Sequence, residues 1–385
     1  MMIDYNKIRV EISLDNLAAN VRRFQGMCGT VIPVIKSDAY GHGLAEVAQK
    51  LAGEGAATLA VGYVNEAVKL RRSGWAGRIL VLLGPVDEAD VAPLWEHDIL
   101  TAIANMDQFD RVAQAARTRG RLDICLKFDT GMRRLGFRPE GLAALVDALR
   151  ANPALVPVMA STHLASADVP EQEANVTMQA GRFQSVLDGL EEAGYAVEAN
   201  IANSAGAMAH KACRMDSMRL GIAMYGGNPF HGTSWEERGR GLLPTMQVSA
   251  PVLHVHTLRQ GEGVSYGWTH VAGRDCEVAV IGVGYADNYS RSLSSRGFMN
   301  IKGHRVPILG RVCMQMTVVD VTGLMGEGLG DGPGQIPGVK PGDRAWLLGG
   351  PAPGTITPED LSGWWGTIPY EAFCLLGMNP RSHGK

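Results

Sequence analysis

Short apolar runs recur along the first two-thirds of the chain, each followed by a polar or glycine-containing loop and then a segment of helical spacing. The runs are Val31–Ile35, Thr58–Val61, Arg78–Leu83, Leu100–Ala104, Leu122–Phe128, Pro157–Ser161, Val197–Ile201 and Ser217–Ile222. Between them, Gly43–Leu51, Phe109–Arg117, Leu142–Leu149 and Val176–Leu190 carry apolar residues at i, i+3 and i+4, the spacing of a helix with one buried face. No returning antiparallel hairpin interrupts the series, so the strands are expected to run parallel with crossover helices. Eight such units in about 230 residues fit an α/β fold closed as a TIM-like (β/α)8 barrel. A doubly wound open sheet is the rival, usually with fewer strands.

Beyond residue 240 the pattern changes. Val248–Leu258, Glu277–Val283, Arg305–Leu309, Met316–Val321 and Arg344–Leu348 alternate or run apolar between Gly and Pro turns, which predicts a mostly β C-terminal domain. The expected division is 1–240 for the barrel and 241–385 for the β domain, with the extreme N-terminal strand a candidate to join the latter. The glycine-rich stretch 325–338 reads as a surface loop and 359–376 as helical, with Trp364 and Trp365 expected to pack between domains.

Composition narrows the function. With 46% hydrophobic and 19% charged residues, the chain can bury a core and is not disordered. A net charge of −3 supplies no global positive field for nucleic acid or an anionic membrane surface. No apolar run approaches the roughly 20 residues that span a bilayer, and Met1–Lys7 lacks the basic-then-apolar shape of a signal peptide. The expectation is a cytoplasmic protein acting on a small molecule. Six cysteines, at 28, 125, 213, 276, 313 and 374, form no CxxC pair and no cluster with histidine; they read as core thiols, with no metal site.

On a barrel, residues that follow strands meet at the C-terminal mouth. Here those are Lys36, Arg134, His163, Asn203 with Ser204, and Arg219 with Gly221. Lys36 follows five apolar residues and is either a strand-end charge reaching to water or a desolvated amine able to form a Schiff base. The adjacent Tyr40-Gly41-His42-Gly43 offers a phenol and an imidazole and favours the second reading. Ser204 is either a helix N-cap or, with the backbone of Gly221 and Ile222, a seat for phosphate. A reactive lysine opposite a phosphate pocket suggests pyridoxal 5′-phosphate.

The strings Val34-Ile35-Lys36-Ser37-Asp38-Ala39-Tyr40-Gly41-His42-Gly43, Lys127-Phe128-Asp129-Thr130-Gly131-Met132-Arg133-Arg134-Leu135-Gly136 and Thr162-His163-Leu164-Ala165-Ser166-Ala167-Asp168 carry a family resemblance. Asn203-Ser204-Ala205, Arg219-Leu220-Gly221-Ile222-Ala223-Met224-Tyr225-Gly226, Val264-Ser265-Tyr266-Gly267, Gly284-Tyr285-Ala286-Asp287 and Gly310-Arg311-Val312-Cys313-Met314 continue it in order. Along nearly its whole length the chain resembles the barrel-class alanine racemases, isomerases that depend on pyridoxal phosphate. The resemblance implies interconversion of L- and D-alanine, supplying D-alanine for peptidoglycan, by a two-base mechanism in a homodimer with shared sites. Lys36 would hold the cofactor and act as one base, and Tyr266 of the other subunit would be the opposite base. Tyr40, Ser204, Gly221, Ile222 and Tyr370 would hold the phosphate. Arg219 would meet the pyridine nitrogen, and His163 would link Arg219 to Tyr266. Arg134 would reach the cofactor phenolate and the substrate carboxylate, which the Met314 backbone N–H would also take. Lys127 matches a position carbamylated in some relatives. Adjacent Arg133 reads as a solvated charge, and Tyr285, Asp168, Arg291 and Arg311 resemble residues lining a polar entrance.

Two positions depart from the family pattern. Gln315 stands where an aspartate is usual and Asn288 where glycine is common, which leaves strict preference for alanine over serine open. The alternatives are therefore a broader serine/alanine racemase and, from a different class, a non-catalytic pyridoxal phosphate carrier. The β domain bearing Tyr266 argues against the carrier. A decarboxylase of the same barrel class would place an acidic residue where Arg219 stands.

Overall fold

A computed structural model describes residues 5–27, 29–324 and 338–384. Most of the stretch expected to be a glycine-rich surface loop, and Cys28, lie outside the described residues. The chain divides into two compact units, one of Leu17–Ala39 with Gly43–Leu243, the other of Met1–Asn16, Tyr40–His42 and Pro244–Lys385.

In the first of these, eight parallel strands follow one another around a barrel. A short strand in the other unit, β1 (Arg9–Ser13), precedes them. The barrel strands are β2 (Thr30–Pro33), β3 (Thr58–Val61), β4 (Arg78–Val81), β5 (Ile99–Ile103), β6 (Leu122–Lys127), β7 (Leu155–Ser161), β8 (Glu198–Asn200) and β9 (Ser217–Leu220). Their hydrogen-bonded order is β2-β9-β8-β7-β6-β5-β4-β3, and a parallel bridge from Val34 to Ala60 closes the ring. Every residue of β3 and β5 is buried, as expected of parallel strands covered on both faces. That burial explains the continuous apolar runs and the absence of alternation. The helices between strands are amphipathic; Leu44–Gly53, for example, buries Leu44, Val47, Ala48 and Leu51 on one face. Each of the eight expected runs coincides with a barrel strand.

The other unit is built on antiparallel strands: β10 (Met246–Leu258), β11 (Gly263–Val264), β12 (His270–Val271), β13 (Cys276–Ile281), β14 (Phe298–Ile301), β15 (His304–Leu309), β16 (Thr317–Asp320), β17 (Arg344–Leu348) and β18 (Arg381–Gly384). A register shift between Val252 and His254 lets the two ends of β10 pair with different strands, β17 and β13. The circuit β10-β13-β16-β15-β14-β17 is thereby closed. β1 extends it, pairing antiparallel with β10 and parallel with β18. Strands β14 and β18 carried no clear sequence signal: β14 (Phe-Met-Asn-Ile) is broken by Asn300, and β18 (Arg-Ser-His-Gly) has no apolar residue at all. Trp364 packs against Phe298, with ring centroids 5.1 Å apart and the planes tilted by 51°, and lies under Arg305. All three belong to this unit.

Among the described residues no helix is long and apolar enough to cross a membrane. Of the described cysteines, Cys125, Cys213 and Cys276 are buried and Cys313 and Cys374 half-buried, all as free thiols.

Candidate active site

The barrel mouth begins where β2 ends. Residues Ser37, Asp38, Ala39 and Tyr40 all have φ between 53° and 55°, a left-handed helical turn made of non-glycine residues. Left-handed backbone costs about 1–2 kcal/mol per residue, so such a turn persists only if its surroundings hold it. The Asp38 carboxylate accepts the Leu44 amide at 2.9 Å, and Ala39 N donates to Ile35 O at 2.9 Å. The Glu66 carboxylate accepts from Ser37 N at 2.6 Å, Gly62 N at 2.7 Å and Tyr63 N at 3.1 Å. Lys36 enters this turn and is exposed. The burial that would desolvate the amine ends at Ile35, so the apolar run does not by itself bury Lys36.

The C-terminal ends of other barrel strands bring cations together. Arg219, at 4% exposure, donates through Nη1 to the carbonyl and side-chain oxygens of Asn200. Its Nη2 donates to Thr162 O at 2.6 Å and to His163 Nδ1 at 3.1 Å. These acceptors are all neutral. A guanidinium cannot accept, so Nδ1 of His163 is unprotonated and the neutral ring carries its proton on Nε2. Burial, then the charges of Arg219, Lys127, Arg134 and Lys36, hold the His163 pKa well below the ordinary imidazole value. Burial pulls Arg219 down to about 10, which still leaves it charged at neutral pH. Lys127, buried at the end of β6, is pulled to about 7 by burial and by Arg219 and Arg134, against Cys125 and Asp129. Its amine is therefore partly neutral at physiological pH.

The loop after β6 is shaped by Asp129, whose carboxylate accepts from Gly131 N and Arg133 N, each at 3.0 Å. Both Arg133 and Arg134 are exposed, and it is Arg134 whose charge is felt at Lys127, His163 and Arg219. Ser204 is not the N-cap of its helix; Asn203 is, accepting Gly206 N at 2.8 Å. That frees the Ser204 hydroxyl to accept from Gly221 N at 3.1 Å and Ala223 N at 3.4 Å, which ties it to the turn that begins at Gly221 and Ile222. Gln179, on the helix Glu173–Glu192, bonds His163 O and Ala165 N and so joins the mouth loops. Glu66, Asn200 and Gln179 were missed by sequence reasoning. Only Asn200, a polar residue inside an apolar run, gave a sign of itself.

In the other unit, Tyr40 packs against Tyr370 with ring centroids 5.9 Å apart, and burial raises its phenol pKa. His42 is consumed structurally: its ring bonds Tyr40 O at 3.0 Å and Thr245 Oγ1 at 2.8 Å, edge-on to Phe373. It is not available for chemistry. Tyr266 caps the β11–β12 hairpin and is 68% exposed. The hairpin is held from below by Val264 and Ala272, which join a small core with Leu258, Cys276, Val278 and Leu309. Ser265 Oγ donates to Arg311 O at 2.6 Å. Met314 is 57% exposed, and its carbonyl accepts Ala286 N at 2.9 Å. Asn288 has φ 61°, which accounts for a position where glycine is at home and asparagine is tolerated.

The family model described as alanine racemase, N-terminal domain, matches residues 12–229, and the one described as alanine racemase, C-terminal domain, matches 245–383. This chain belongs to the alanine racemase family. An alanine racemase of Nitratidesulfovibrio vulgaris (strain DP4) is 46% identical over 383 residues, covering 100% of this chain and 99% of the relative. Among solved structures, the alanine racemase of Streptomyces lavendulae superposes with a TM-score of 0.87 at 32% identity, covering 100% of this chain and 98% of that one. That of Bartonella henselae, with covalently bound pyridoxal phosphate, gives a TM-score of 0.84 at 25% identity over 98% and 99% of the two chains. Membership of the alanine racemase family agrees with the fold, a parallel barrel in one unit and an antiparallel β assembly in the other.

Proposed function

We propose that the protein is a pyridoxal-phosphate-dependent alanine racemase that works as a cytoplasmic homodimer and supplies D-alanine for peptidoglycan. The observation that carries this is the pairing of Arg219 with neutral His163 beside Lys36 at a barrel mouth rich in cations. The donor set fits the cofactor: Lys36 offers the amine, Arg134 and Arg219 suit an anionic group with a phenolate, and the Ser204 hydroxyl with the Gly221–Ile222 turn suits a phosphate seat. The Bartonella henselae relative, which holds the same group covalently, supports the reading.

When bound, pyridoxal phosphate supplies an electron-withdrawing ring that lets a Cα proton leave. The remaining work falls to side chains. Lys36 would hold the group covalently and, once displaced by substrate, its Nζ would take or return the Cα proton on one face. Tyr266 from a second copy would do so on the other face, since inversion needs a base on each side. Nε2–H of His163 would face the Tyr266 oxygen of that second copy and link it to Arg219. Arg219 can donate a hydrogen bond to the ring nitrogen but will not yield its proton. Tyr40 and Tyr370 would complete the phosphate seat, and Arg134 with the Met314 amide would hold the substrate carboxylate. The partly neutral Lys127 amine can add CO2, releasing one proton and leaving a carbamate that Arg134 and Arg219 would neutralise.

Exposed Tyr266, Trp268, Tyr285, Met314 and Met316 in the second unit support a second copy covering this surface. The test is a racemisation assay with added pyridoxal phosphate across L-amino acids, run beside sedimentation analysis. Turnover of alanine by a dimer is expected. Cofactor binding without racemisation of any amino acid would return the carrier reading, and equal turnover of serine would return the broader racemase.

A further inference from the structure

We propose that Glu66 is a positioning residue for Lys36, acting as a carboxylate clamp on the left-handed turn through which the lysine is presented. The proposal rests on the reading of Lys36 as the cofactor-bearing amine.

Four consecutive non-glycine residues, Ser37 to Tyr40, adopt positive φ, and a chain released from its partners relaxes out of that region. The first amide of the turn, Ser37 N, is held by Glu66 Oε1 at 2.6 Å. The other oxygen, Oε2, takes Gly62 N at 2.7 Å and Tyr63 N at 3.1 Å. One carboxylate thus joins the residue after Lys36 to the loop after β3. Both of its oxygens are used, and all three donors are backbone amides, which a carboxylate satisfies and an amide side chain cannot. Glu66 itself is fixed, because it lies in the first turn of the helix Val64–Arg72. Gly62 completes the arrangement: a Cβ there would stand 3.0 Å from Glu66 Oε2 and 3.6 Å from Lys36 Cβ. The absent side chain leaves room for the clamp to close beside the stem of the lysine. Fixing the turn fixes the direction in which Lys36 leaves the backbone, and a misplacement of about 1 Å can cost about 100-fold in a reaction that depends on orientation.

The test uses full-length protein freed of cofactor and reconstituted with pyridoxal phosphate. Two quantities are read in wild type, Glu66→Gln and Gly62→Ala: the rate of the borohydride-trappable adduct at Lys36, and hydrogen exchange at Ser37 N. In Glu66→Gln the amide nitrogen must face a backbone donor, so exchange at Ser37 is expected to rise about tenfold or more and adduct formation to slow about tenfold. Amides of β10 and β13 should keep their protection. Gly62→Ala, which keeps the carboxylate but crowds it, should move both readings the same way.

Unchanged exchange at Ser37 in both variants overturns the clamp. Faster exchange at Ser37 with an unchanged adduct rate overturns the positioning role, as does a loss of protection throughout the chain in both variants. Should the wild-type adduct map to another lysine, the reading of Lys36 fails and the positioning role with it. In that case exchange at Ser37 still reports whether the clamp exists.

Discussion

Nη2 of Arg219 lies 3.1 Å from Nδ1 of His163, and this one contact sets the tautomer of the imidazole. The guanidinium has only donors, so the ring must accept there and present its N–H on the far side. A cation of this kind can polarise a ring nitrogen without protonating it, whereas a carboxylate in the same place would keep that nitrogen charged. Replacing Arg219 by Glu is therefore expected to slow racemisation, build up a long-wavelength absorbance and raise pyruvate formation from alanine. A variant that binds pyridoxal phosphate but shows neither the absorbance nor extra pyruvate would mean that Arg219 does not govern the ring nitrogen.

Lys36 is the lysine expected to carry the cofactor. Borohydride reduction followed by peptide mapping should label the peptide containing Lys36, and Lys36→Ala should abolish trapping. A label on any other lysine refutes the assignment.

Tyr266, 68% exposed on its hairpin tip, is expected to act in a neighbouring copy. Tyr266→Phe should reduce racemisation in both directions by about 100-fold or more while leaving the cofactor bound. Mixing Lys36→Ala with Tyr266→Phe chains should restore activity, since each mixed dimer holds one site with neither defect. No rescue after verified subunit exchange would show that each site is built within one chain.

Lys127 has a folded pKa of about 7 against an unfolded value of 10.5. Between those values the unfolded state binds the extra proton, so stability from this group rises with pH from about 7 to about 10.5. Below about 7 both states are protonated, and the penalty for a buried ammonium is present in full. The shift corresponds to on the order of 5 kcal/mol. In bicarbonate-free buffer, Lys127→Met is expected to stabilise the protein at pH 7 and flatten the rise in denaturation midpoint between pH 7 and 9. An unchanged slope would show that Lys127 titrates normally.

Gly41 has φ +78°, and a Cβ there would fall 2.3 Å from the carbonyl oxygen of Phe373. Gly41→Ala should cost at least about 1 kcal/mol, from the backbone conformation alone, and lower the thermal midpoint. An unshifted midpoint would count against this packing.

The amino-acid sequence by itself determined the barrel, because parallel strands covered on both faces must be apolar throughout. Runs such as Thr58–Val61 and Leu100–Ala104 therefore announce themselves without reference to the rest of the chain. It also determined the candidate chemistry at the mouth, since strand ends of a barrel converge wherever the strands lie. Local pattern could not reveal β14, whose apolar run is broken by Asn300, or β18, which has no apolar residue and forms by pairing with β1 some 370 residues away. Nor could it tell that Asn203 rather than Ser204 caps the helix, that His42 is spent on Thr245, or that Lys36 stands exposed. His42 is taken by Thr245, 203 residues away, and Ser204 by the amides of Gly221 and Ala223, partners that only the folded chain supplies. Glu66 is the plainest case: nothing near it in the chain marks it out. Its role exists only because folding brings Ser37, 29 residues away, within 2.6 Å of its carboxylate.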